Sequence, residues 1–235
     1  MGRAEACKKL GTTMSASGEE NRPVSNVLRF WKAWLRRPAQ LGAVAPSSKS
    51  LATAMAGEID PDEEGVVVEL GGGTGSITSA LLKTGLHPAD LVVIEREPAL
   101  CDVISRRFPG ITVICGDACN LALLLRRAGI QRVKAVVSGL PLVLMSPEAR
   151  RGILAQAFTV MPEDEGIFVQ FTYSPVSPLS RGTATALGLV GDRSEWVLDN
   201  LPPAAVWRYR RRPTVTARPA WVPRSTETRS AQPLA

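Results

Sequence analysis

Short runs of apolar, largely β-branched residues alternate with segments of helical spacing between residues 66 and 172. The runs predict strands at 66–70, 90–95, 111–114, 133–138 and 166–172. The segments between them predict helices near 76–84, 97–107, 119–128 and 147–159. Because short apolar strands that alternate with helices are typical of a buried parallel sheet, we expect an α/β fold with a doubly wound sheet.

The pattern changes after Tyr173, where two strand-like pieces follow each other closely. They cover 189–198 and 204–210 and are joined by Asn200-Leu-Pro-Pro203, a sequence typical of a turn. This spacing predicts an antiparallel hairpin that completes the otherwise parallel sheet.

Residues 23–37 form an amphipathic pattern ahead of the sheet. Apolar positions follow one helical face, a second stripe is cationic, and the segment contains no acidic residue. Helices that lie in a membrane interface have this composition, although a surface helix packed on the domain would show the same spacing. The candidate membrane contacts are Arg29, Trp31, Lys32, Trp34, Arg36 and Arg37.

The net charge of +6 is unevenly distributed along the 235 residues. Residues 38–206 carry 13 basic and 18 acidic side chains, whereas residues 23–37 and 207–235 are strongly basic. An acidic body flanked by basic ends favours a polyanionic partner, either a nucleic acid or an anionic lipid surface. Charge alone does not decide between them.

Composition excludes several other classes of protein. Hydrophobic and charged fractions of 45% and 21% are ordinary for a folded domain. The sequence has neither a run long enough to cross a bilayer nor the apolar core of a secretory signal, so we expect a cytoplasmic protein. Four cysteines and a single histidine, His87, indicate reduced thiols and no metal site.

The first predicted strand leads into a glycine loop, Glu69-Leu-Gly-Gly-Gly-Thr-Gly75, and a helix is expected from about residue 76. Glycines at such a turn let the backbone approach a ligand in the crevice where doubly wound sheets bind nucleotides. A dinucleotide fingerprint needs glycines at 71, 73 and 76, but position 76 is serine. Glycines at 71, 73 and 75 behind Glu69 instead resemble the E-x-G-x-G-x-G loop of class I S-adenosylmethionine-dependent methyltransferases, which have a Rossmann-like sheet.

Two downstream acids extend this resemblance. Glu95 ends the second strand, where a carboxylate can accept both hydroxyls of a ribose; the alternative is a solvated partner of Arg96. The resemblance places Asp117, after the third strand, on the amine of adenine; the alternative is a helix N-cap. The implied cofactor is S-adenosyl-L-methionine.

The fourth strand ends in Ser138-Gly-Leu-Pro141, where class I enzymes that methylate nitrogen often carry an N/D-P-P-Y-like motif. In the RNA adenine dimethylases this motif is Asn-Leu-Pro-Tyr, and its aromatic ring stacks on the flipped base. Here serine replaces the asparagine and Leu142 replaces the aromatic residue. An RNA adenine N-methyltransferase therefore stays as the alternative, and nucleic acid is not the expected partner.

A wider set of motifs resembles the bacterial phospholipid N-methyltransferases, which convert phosphatidylethanolamine stepwise to phosphatidylcholine. The segments that carry this resemblance are 30–38, 42–48, 69–75, 138–141, Phe168-Val-Gln-Phe-Thr-Tyr173 and Asn200-Leu-Pro-Pro-Ala-Ala-Val-Trp207. It implies an enzyme whose partners are an anionic membrane surface, phosphatidylethanolamine and its methylated derivatives. We expect a monomer, bound peripherally at the inner face of the bacterial membrane. A methyltransferase of another amine or aminolipid is the further alternative.

The resemblance also implies the site residues. It lays residues 42–48 over the cofactor, which makes Ser47 and Ser48 candidate ligands or, alternatively, helix N-caps. The expected cofactor contacts are Ser47, Ser48, Glu69, Leu70, Gly71, Gly73, Thr74, Gly75, Glu95, Arg96, Asp117, Ala118 and Ser138. The candidate catalytic residues are Ser138, Gly139, Leu140 and Tyr173.

The chemistry expected of the catalytic residues follows from the amine. No Cys or His is expected at a strand tip, so the ammonium proton would leave to water or through a backbone acceptor at 138–140. Tyr173 would hold the increasingly methylated cation against its ring or accept from the amine, unless it is a packing residue of the hairpin.

Four regions are expected along the chain. Residues 1–22 and 213–235 are too polar to form a core and are predicted to be disordered tails. Residues 23–60 comprise the membrane-binding helix and the cofactor-covering segment, and residues 61–212 form the methyltransferase domain.

Overall fold

The computed structural model describes residues 49–200 and 202–213. The predicted helix at 23–37, Ser47, Ser48 and the predicted tails, except residue 213, lie outside these residues. Within the described part, no helix combines the length and apolar character needed to cross a bilayer.

Seven strands form one sheet in the order β3-β2-β1-β4-β5-β7-β6. Neighbours from β3 to β5 pair in parallel, while β7 runs antiparallel to both β5 and β6. The strands are β1 Val66–Leu70, β2 Leu91–Glu95, β3 Thr112–Cys115, β4 Val133–Ser138, β5 Ile167–Thr172, β6 Leu189–Val197 and β7 Ala204–Arg211. The predicted doubly wound sheet with a C-terminal antiparallel hairpin is confirmed.

Helices cover both faces of this sheet, because successive residues of the central strands point to opposite sides. The helices are α1 Lys49–Ala56, α2 Ser76–Lys83, α3 Pro98–Arg107, α4 Leu121–Arg127, α5 Pro147–Val160 and α6 Arg181–Ala186. Val67 packs in the core shared with α1, α2 and α3, while its neighbour Val68 packs in the core shared with α4 and α5. Strands buried on both faces explain the continuous apolar runs in the sequence.

Two helices were not predicted. α1, which buries Leu51 and Met55 against the sheet, was considered only through the alternative that Ser47 or Ser48 caps a helix. α6, with the sequence RGTATA, buries no residue, so its apolar pattern carries no signal. The predicted helix at 119–128 divides into a 3₁₀ turn, Ala118–Asn120, and α4.

The sheet order places a topological switch at β1. The chain moves from β1 to β2 and β3 on one side, and then crosses back to β4 and β5 on the other side. In open α/β sheets a ligand crevice forms at the carboxyl ends of the strands at this point. The residues that follow β1 and β4 therefore face each other across the candidate site.

Candidate active site

The glycine loop turns sharply between β1 and α2. Gly71, Gly73 and Gly75 have φ angles of 76°, 52° and 83°, a left-handed conformation that other residues adopt only with strain. The Gly71 N–H donates to the carbonyl oxygen of Ile94 at 2.8 Å, and the Gly75 N–H donates to that of Gly72 at 2.8 Å. The loop is therefore fixed by its own backbone and by β2.

The four glycines of the loop differ in what surrounds them. A Cβ atom at Gly71 would lie 2.7 Å from a methyl group of Leu140, and one at Gly75 would lie 2.3 Å from the ring of Phe108. A Cβ at Gly72 would meet Val93 at 2.5 Å. A Cβ at Gly73 would have no atom within 4 Å. Packing thus excludes side chains at three positions, whereas Gly73 borders open space that a ligand can occupy.

Glu95 lies against the glycine loop. Its Oε2 accepts a hydrogen bond from the Gly73 N–H at 2.9 Å, and its Oε1 accepts from the N–H groups of Arg96 and Glu97 at 2.7 and 2.9 Å. The residue is only 9% exposed, in contrast to the solvated alternative. The carboxylate at the tip of β2 is therefore held at the bend of the loop.

Glu69 is fully buried beneath the same loop. Its Oε2 accepts a hydrogen bond of 2.6 Å from the Thr78 hydroxyl, while its Oε1 has no hydrogen-bond partner. Burial raises the pKa of this carboxyl to about 8, and the Thr78 hydrogen bond opposes the shift only in part. The group is therefore mostly protonated at neutral pH, and a cation bound nearby would favour its ionised form.

Asp117 follows β3 and caps the 3₁₀ turn at Ala118–Asn120. Its Oδ1 accepts from the Cys119 N–H at 2.8 Å, which is the N-cap role considered as an alternative. A carboxylate has several acceptor sites, so capping and contact with an adenine amine are compatible. Cys115 is the last residue of β3, which corrects the expectation that no cysteine would lie at a strand tip. Two strands, β2 and β1, separate Cys115 from the end of β4 in the sheet order.

The loop after β4 packs directly on the glycine loop. The Gly139 N–H donates to the carbonyl oxygen of Leu70 at 2.8 Å, and a Cβ at Gly139 would lie 2.9 Å from the Gly71 carbonyl oxygen. Ser138 is fully buried, and its Oγ accepts from the Leu140 N–H at 3.4 Å. Residues 138–140 therefore form the wall of the crevice opposite Glu95.

Gln170 is a site residue to which no role was predicted. It is 1% exposed and pairs with Ser138 in the sheet register. Its Nε2 donates to the carbonyl oxygens of Leu140 and Phe171, both at 3.0 Å, while its Oε1 lacks a partner. The available signal was an amide within the apolar strand segment at 168–172, because buried amides are usually hydrogen-bonded.

Arg150 fixes the continuation of the same loop, and no role was predicted for it either. Its Nε donates to the Leu142 carbonyl oxygen at 2.9 Å, and one terminal nitrogen donates to those of Val143 and Met145 at 3.3 Å. Three backbone acceptors of the loop are thus satisfied by one side chain of α5.

Tyr173 directly follows β5, at the same edge of the sheet as Ser138. Its ring packs edge-on against Phe171, with the centroids 5.4 Å apart, and its hydroxyl is hydrogen-bonded with the Asn200 side chain. Burial raises the pKa of the phenol to about 12, so it stays protonated at physiological pH. Tyr173 thus makes the contacts expected of a packing residue, and its role as a headgroup ligand stays a prediction.

Known proteins resemble this chain in sequence. A family model described as the TrkA-N domain matches residues 66–162, from β1 to just beyond α5. The ornithine lipid N-methyltransferase of Singulisphaera acidiphila is 31% identical over 150 residues, which cover 62% of this chain and 77% of that protein. An uncharacterized methyltransferase-like protein of Schizosaccharomyces pombe is 31% identical over 62 residues, 26% of this chain and 23% of that protein.

Solved structures resemble its fold. The 1,6-didemethyltoxoflavin-N1-methyltransferase of Burkholderia thailandensis, solved with S-adenosylhomocysteine, has a TM-score of 0.57 at 13% identity and covers 86% of this chain and 94% of its own. The glycopeptide N-methyltransferase MtfA, solved with S-adenosylmethionine, has a TM-score of 0.54 at 14% identity, with coverages of 72% and 96%.

The sequence match and the structural similarity agree with each other. The match to the ornithine lipid enzyme extends over more than three quarters of that enzyme, and the structural neighbours are methyltransferases that share the sheet architecture. The chain belongs to the lipid N-methyltransferase family of class I S-adenosylmethionine-dependent methyltransferases.

Proposed function

We propose that this chain transfers the methyl group of S-adenosylmethionine to the primary amine of a membrane lipid, phosphatidylethanolamine, and continues stepwise towards phosphatidylcholine. The observation that carries the proposal is the direct packing of the loop at 138–140 on Leu70 and Gly71 of the glycine loop, the same loop that borders open space at Gly73. This arrangement brings a set of backbone acceptors to the edge of a cofactor crevice. Membership of the lipid N-methyltransferase family supports the choice of a lipid amine.

The residues of the crevice fit S-adenosylmethionine. Gly73 leaves the backbone open to a ligand, and the unpartnered Oε1 of Glu69 lies beneath the same loop, where the cationic methionine part would favour its ionised form. Glu95 would accept from the ribose hydroxyls, and Asp117 would contact the adenine amine. When bound, the cofactor supplies an electrophilic methyl group on its sulfonium.

The protein's own contribution is to orient a neutral amine and exclude water. An ammonium with a pKa of about 10.4 must first lose a proton. The Leu140 carbonyl oxygen already accepts from Gln170 at 3.0 Å and from the Leu142 N–H at 2.8 Å, which uses both of its lone pairs. An amine N–H would therefore be accepted by the other backbone oxygens of residues 138–140. Tyr173, protonated and held by Asn200, would offer its ring to the methylated cation.

An ornithine lipid is the second candidate substrate. The relative from Singulisphaera acidiphila carries that name, and it is matched over most of its length. Both candidate lipids present a primary ammonium on a flexible chain, so the contacts described above would serve either one. The headgroup therefore has to be identified by assay.

The assay uses full-length protein, labelled S-adenosylmethionine and vesicles that contain either phosphatidylethanolamine or an ornithine lipid. We expect label in chloroform-soluble lipid, with phosphatidylethanolamine as the better acceptor. Label only in the ornithine lipid would replace the headgroup in this proposal. Label found only in RNA or in soluble amines would overturn the proposal as a whole.

Residues 24–37 are proposed to bring the enzyme to an anionic bilayer at the inner membrane face. The support comes from the sequence, in which a cationic stripe lies beside a face with Trp31 and Trp34. Charge reversal at Arg29, Lys32 and Arg36 should abolish sedimentation with anionic vesicles at low salt, while cofactor affinity stays unchanged. Sedimentation that is indifferent to both salt and these substitutions would show a helix packed on the domain.

A further inference from the structure

Five large apolar side chains are exposed in the described part of the chain, and the two most exposed belong to loops beside the acceptor crevice. Leu198 is 73% exposed and Val176 is 68% exposed, and Val143 is exposed at 39%. The other two, Val103 and Val190, lie on the outer surface of α3 and near the start of β6. Exposed apolar side chains that cluster beside a functional site indicate an interaction surface.

The first three side chains lie on loops at one edge of the sheet. Val143 follows β4, Val176 follows β5, and Leu198 lies between β6 and β7. The strand register aligns the ends of these strands: Ser138 pairs with Gln170, Thr172 with Ala205, and Val197 with Ala204. The three loops are therefore neighbours along the edge that carries residues 138–140.

These loops satisfy much of their own backbone. Arg150 binds three carbonyl oxygens around Val143. Around Val176, the N–H groups of Ser174, Val176 and Leu179 donate to the hydroxyls of Thr172, Ser174 and Ser177 at 3.2 Å each. The Asn200 amide donates to the Pro202 carbonyl oxygen at 2.6 Å. A loop whose polar backbone groups are already paired enters an apolar environment at a lower cost.

The charges near the loops suit an anionic surface. Residues 139–147 and 173–180 contain no charged side chain. The helices that begin there carry Arg150, Arg151 and Arg181 against one exposed acid, Glu148, so cations outnumber carboxylates behind these two loops. Asp199 is the one acidic residue in the described part of the third loop. Apolar tips flanked by arginines are typical of segments that enter the headgroup region of an anionic bilayer.

We propose that Val143, Val176 and Leu198 form a docking surface that enters the interface of an anionic lipid bilayer and places the loop at 138–140 at the headgroups. The inference rests on the proposed function, because a lipid amine must reach that loop from the membrane. It adds a second contact, distinct from residues 24–37, that orients the crevice towards the bilayer.

The test compares full-length protein with two variants of matched chemistry. The loop variant carries Val143→Ser, Val176→Ser and Leu198→Ser, and the control variant carries Val103→Ser and Val190→Ser. Sedimentation is measured with vesicles of phosphatidylglycerol and phosphatidylethanolamine, at low salt and at about 0.5 M salt, where charge contacts of the N-terminal segment are screened. Gel filtration reports the oligomeric state of each protein.

We expect the loop variant to bind vesicles at least about tenfold more weakly at high salt, with unchanged cofactor affinity and unchanged methylation of a short-chain lipid below its micelle concentration. The control variant should bind as the wild type does. Equal loss in both variants, no loss in the loop variant, or dissociation of a wild-type oligomer by the loop substitutions would overturn the docking surface. Vesicle binding requires no turnover, so a chain that binds through these loops without methylating lipid would contradict the proposed function alone.

Discussion

The Nε2 atom of Gln170 donates a 3.0 Å hydrogen bond to the carbonyl oxygen of Leu140. It thereby joins the middle of the sheet to the loop at 138–140, here called the acceptor loop. The same nitrogen lies 3.0 Å from the Phe171 carbonyl oxygen. Because Gln170 is buried and paired with Ser138 across β4 and β5, the loop cannot shift without breaking a bond in the core. We therefore predict that Gln170 positions the loop at 138–140, on which the proposed amine site depends.

The substitution Gln170→Met tests that role. It removes both hydrogen bonds at similar volume, and it also removes the unpartnered Oε1, so the free energy of unfolding should change by no more than about 2 kcal/mol. A freed loop misplaces the amine, and kcat should fall about 10- to 100-fold with the cofactor Kd unchanged. Gln156→Met is the control, since it loses a hydrogen bond with Ala122 outside the acceptor loop. Full activity in the Gln170 variant would show that the loop holds itself in place.

The sequence predicted the sheet and the ends of its strands because both follow from local pattern. β1 and β4 have the predicted bounds, and the glycine loop, Glu95 and Asp117 lie at successive strand tips as expected. The motif spacing sufficed for these positions, since parallel strands end at one edge.

Contacts that depend on register were not predictable. The partner of Gln170 follows from its alignment with Ser138. The hydrogen bonds of Arg150 require the first turn of α5 to lie beside the loop that precedes it. Neither relation leaves a periodic trace in the sequence. The exposure of Val176 and Leu198 likewise required the hairpin to be placed beside β5.

Gly73 should be needed for cofactor binding and dispensable for packing. Because a Cβ at this position meets no protein atom, Gly73→Ala should fold, with a backbone strain of about 1 kcal/mol from the φ of 52°. Its methyl group would occupy space that the cofactor needs, so cofactor affinity should fall about tenfold or more. Gly188→Ala is the control, with a φ of 63° and open space around it at the start of β6. Calorimetric titration with S-adenosylmethionine and thermal unfolding separate the two effects. Equal affinity in both alanine variants would remove Gly73 from the site.

Gly75→Ala should lower the stability of the folded protein, whereas Gly73→Ala should mainly lower cofactor affinity. A Cβ at Gly75 would lie 2.3 Å from the Phe108 ring, so this half-buried ring must move, and the φ of 83° adds backbone strain. The protein should therefore lose about 1–3 kcal/mol of stability. Urea unfolding of the cofactor-free protein measures this loss. A variant as stable as Gly73→Ala would contradict the packing role.

Glu69 should make the cofactor-free protein less stable as the pH rises. Its pKa is about 8 in the folded state against 4.5 for the exposed group, so the folded state binds more protons between these values and loses stability as the pH increases through them. Glu69→Gln keeps an acceptor for Thr78 and removes the titration. Urea unfolding at pH 5, 7 and 9 should show the variant gaining on the wild type, by on the order of a few kcal/mol at pH 9.

Two substitutions at Tyr173 test whether this residue binds the lipid headgroup or only packs against its neighbours. Tyr173→Ala removes the ring and should reduce lipid methylation about tenfold or more, with little change in cofactor affinity. Tyr173→Phe keeps the edge-on contact with Phe171 and the ring face, and loses only the hydroxyl held by Asn200. Since a quaternary or tertiary ammonium needs the ring rather than the hydroxyl, the phenylalanine variant should retain most of the later methylation steps.

The control for this pair is Tyr209→Phe, which removes a hydroxyl bonded to Ser177 in the core on the other face of the sheet. It should alter stability and leave turnover at saturating lipid unchanged. Rates for each methylation step, measured with mono- and dimethylated lipid as substrates, distinguish the two roles. If Tyr173→Ala turns over lipid as fast as the wild type does, the contact with Phe171 accounts for the residue and the cation must be held elsewhere in the crevice.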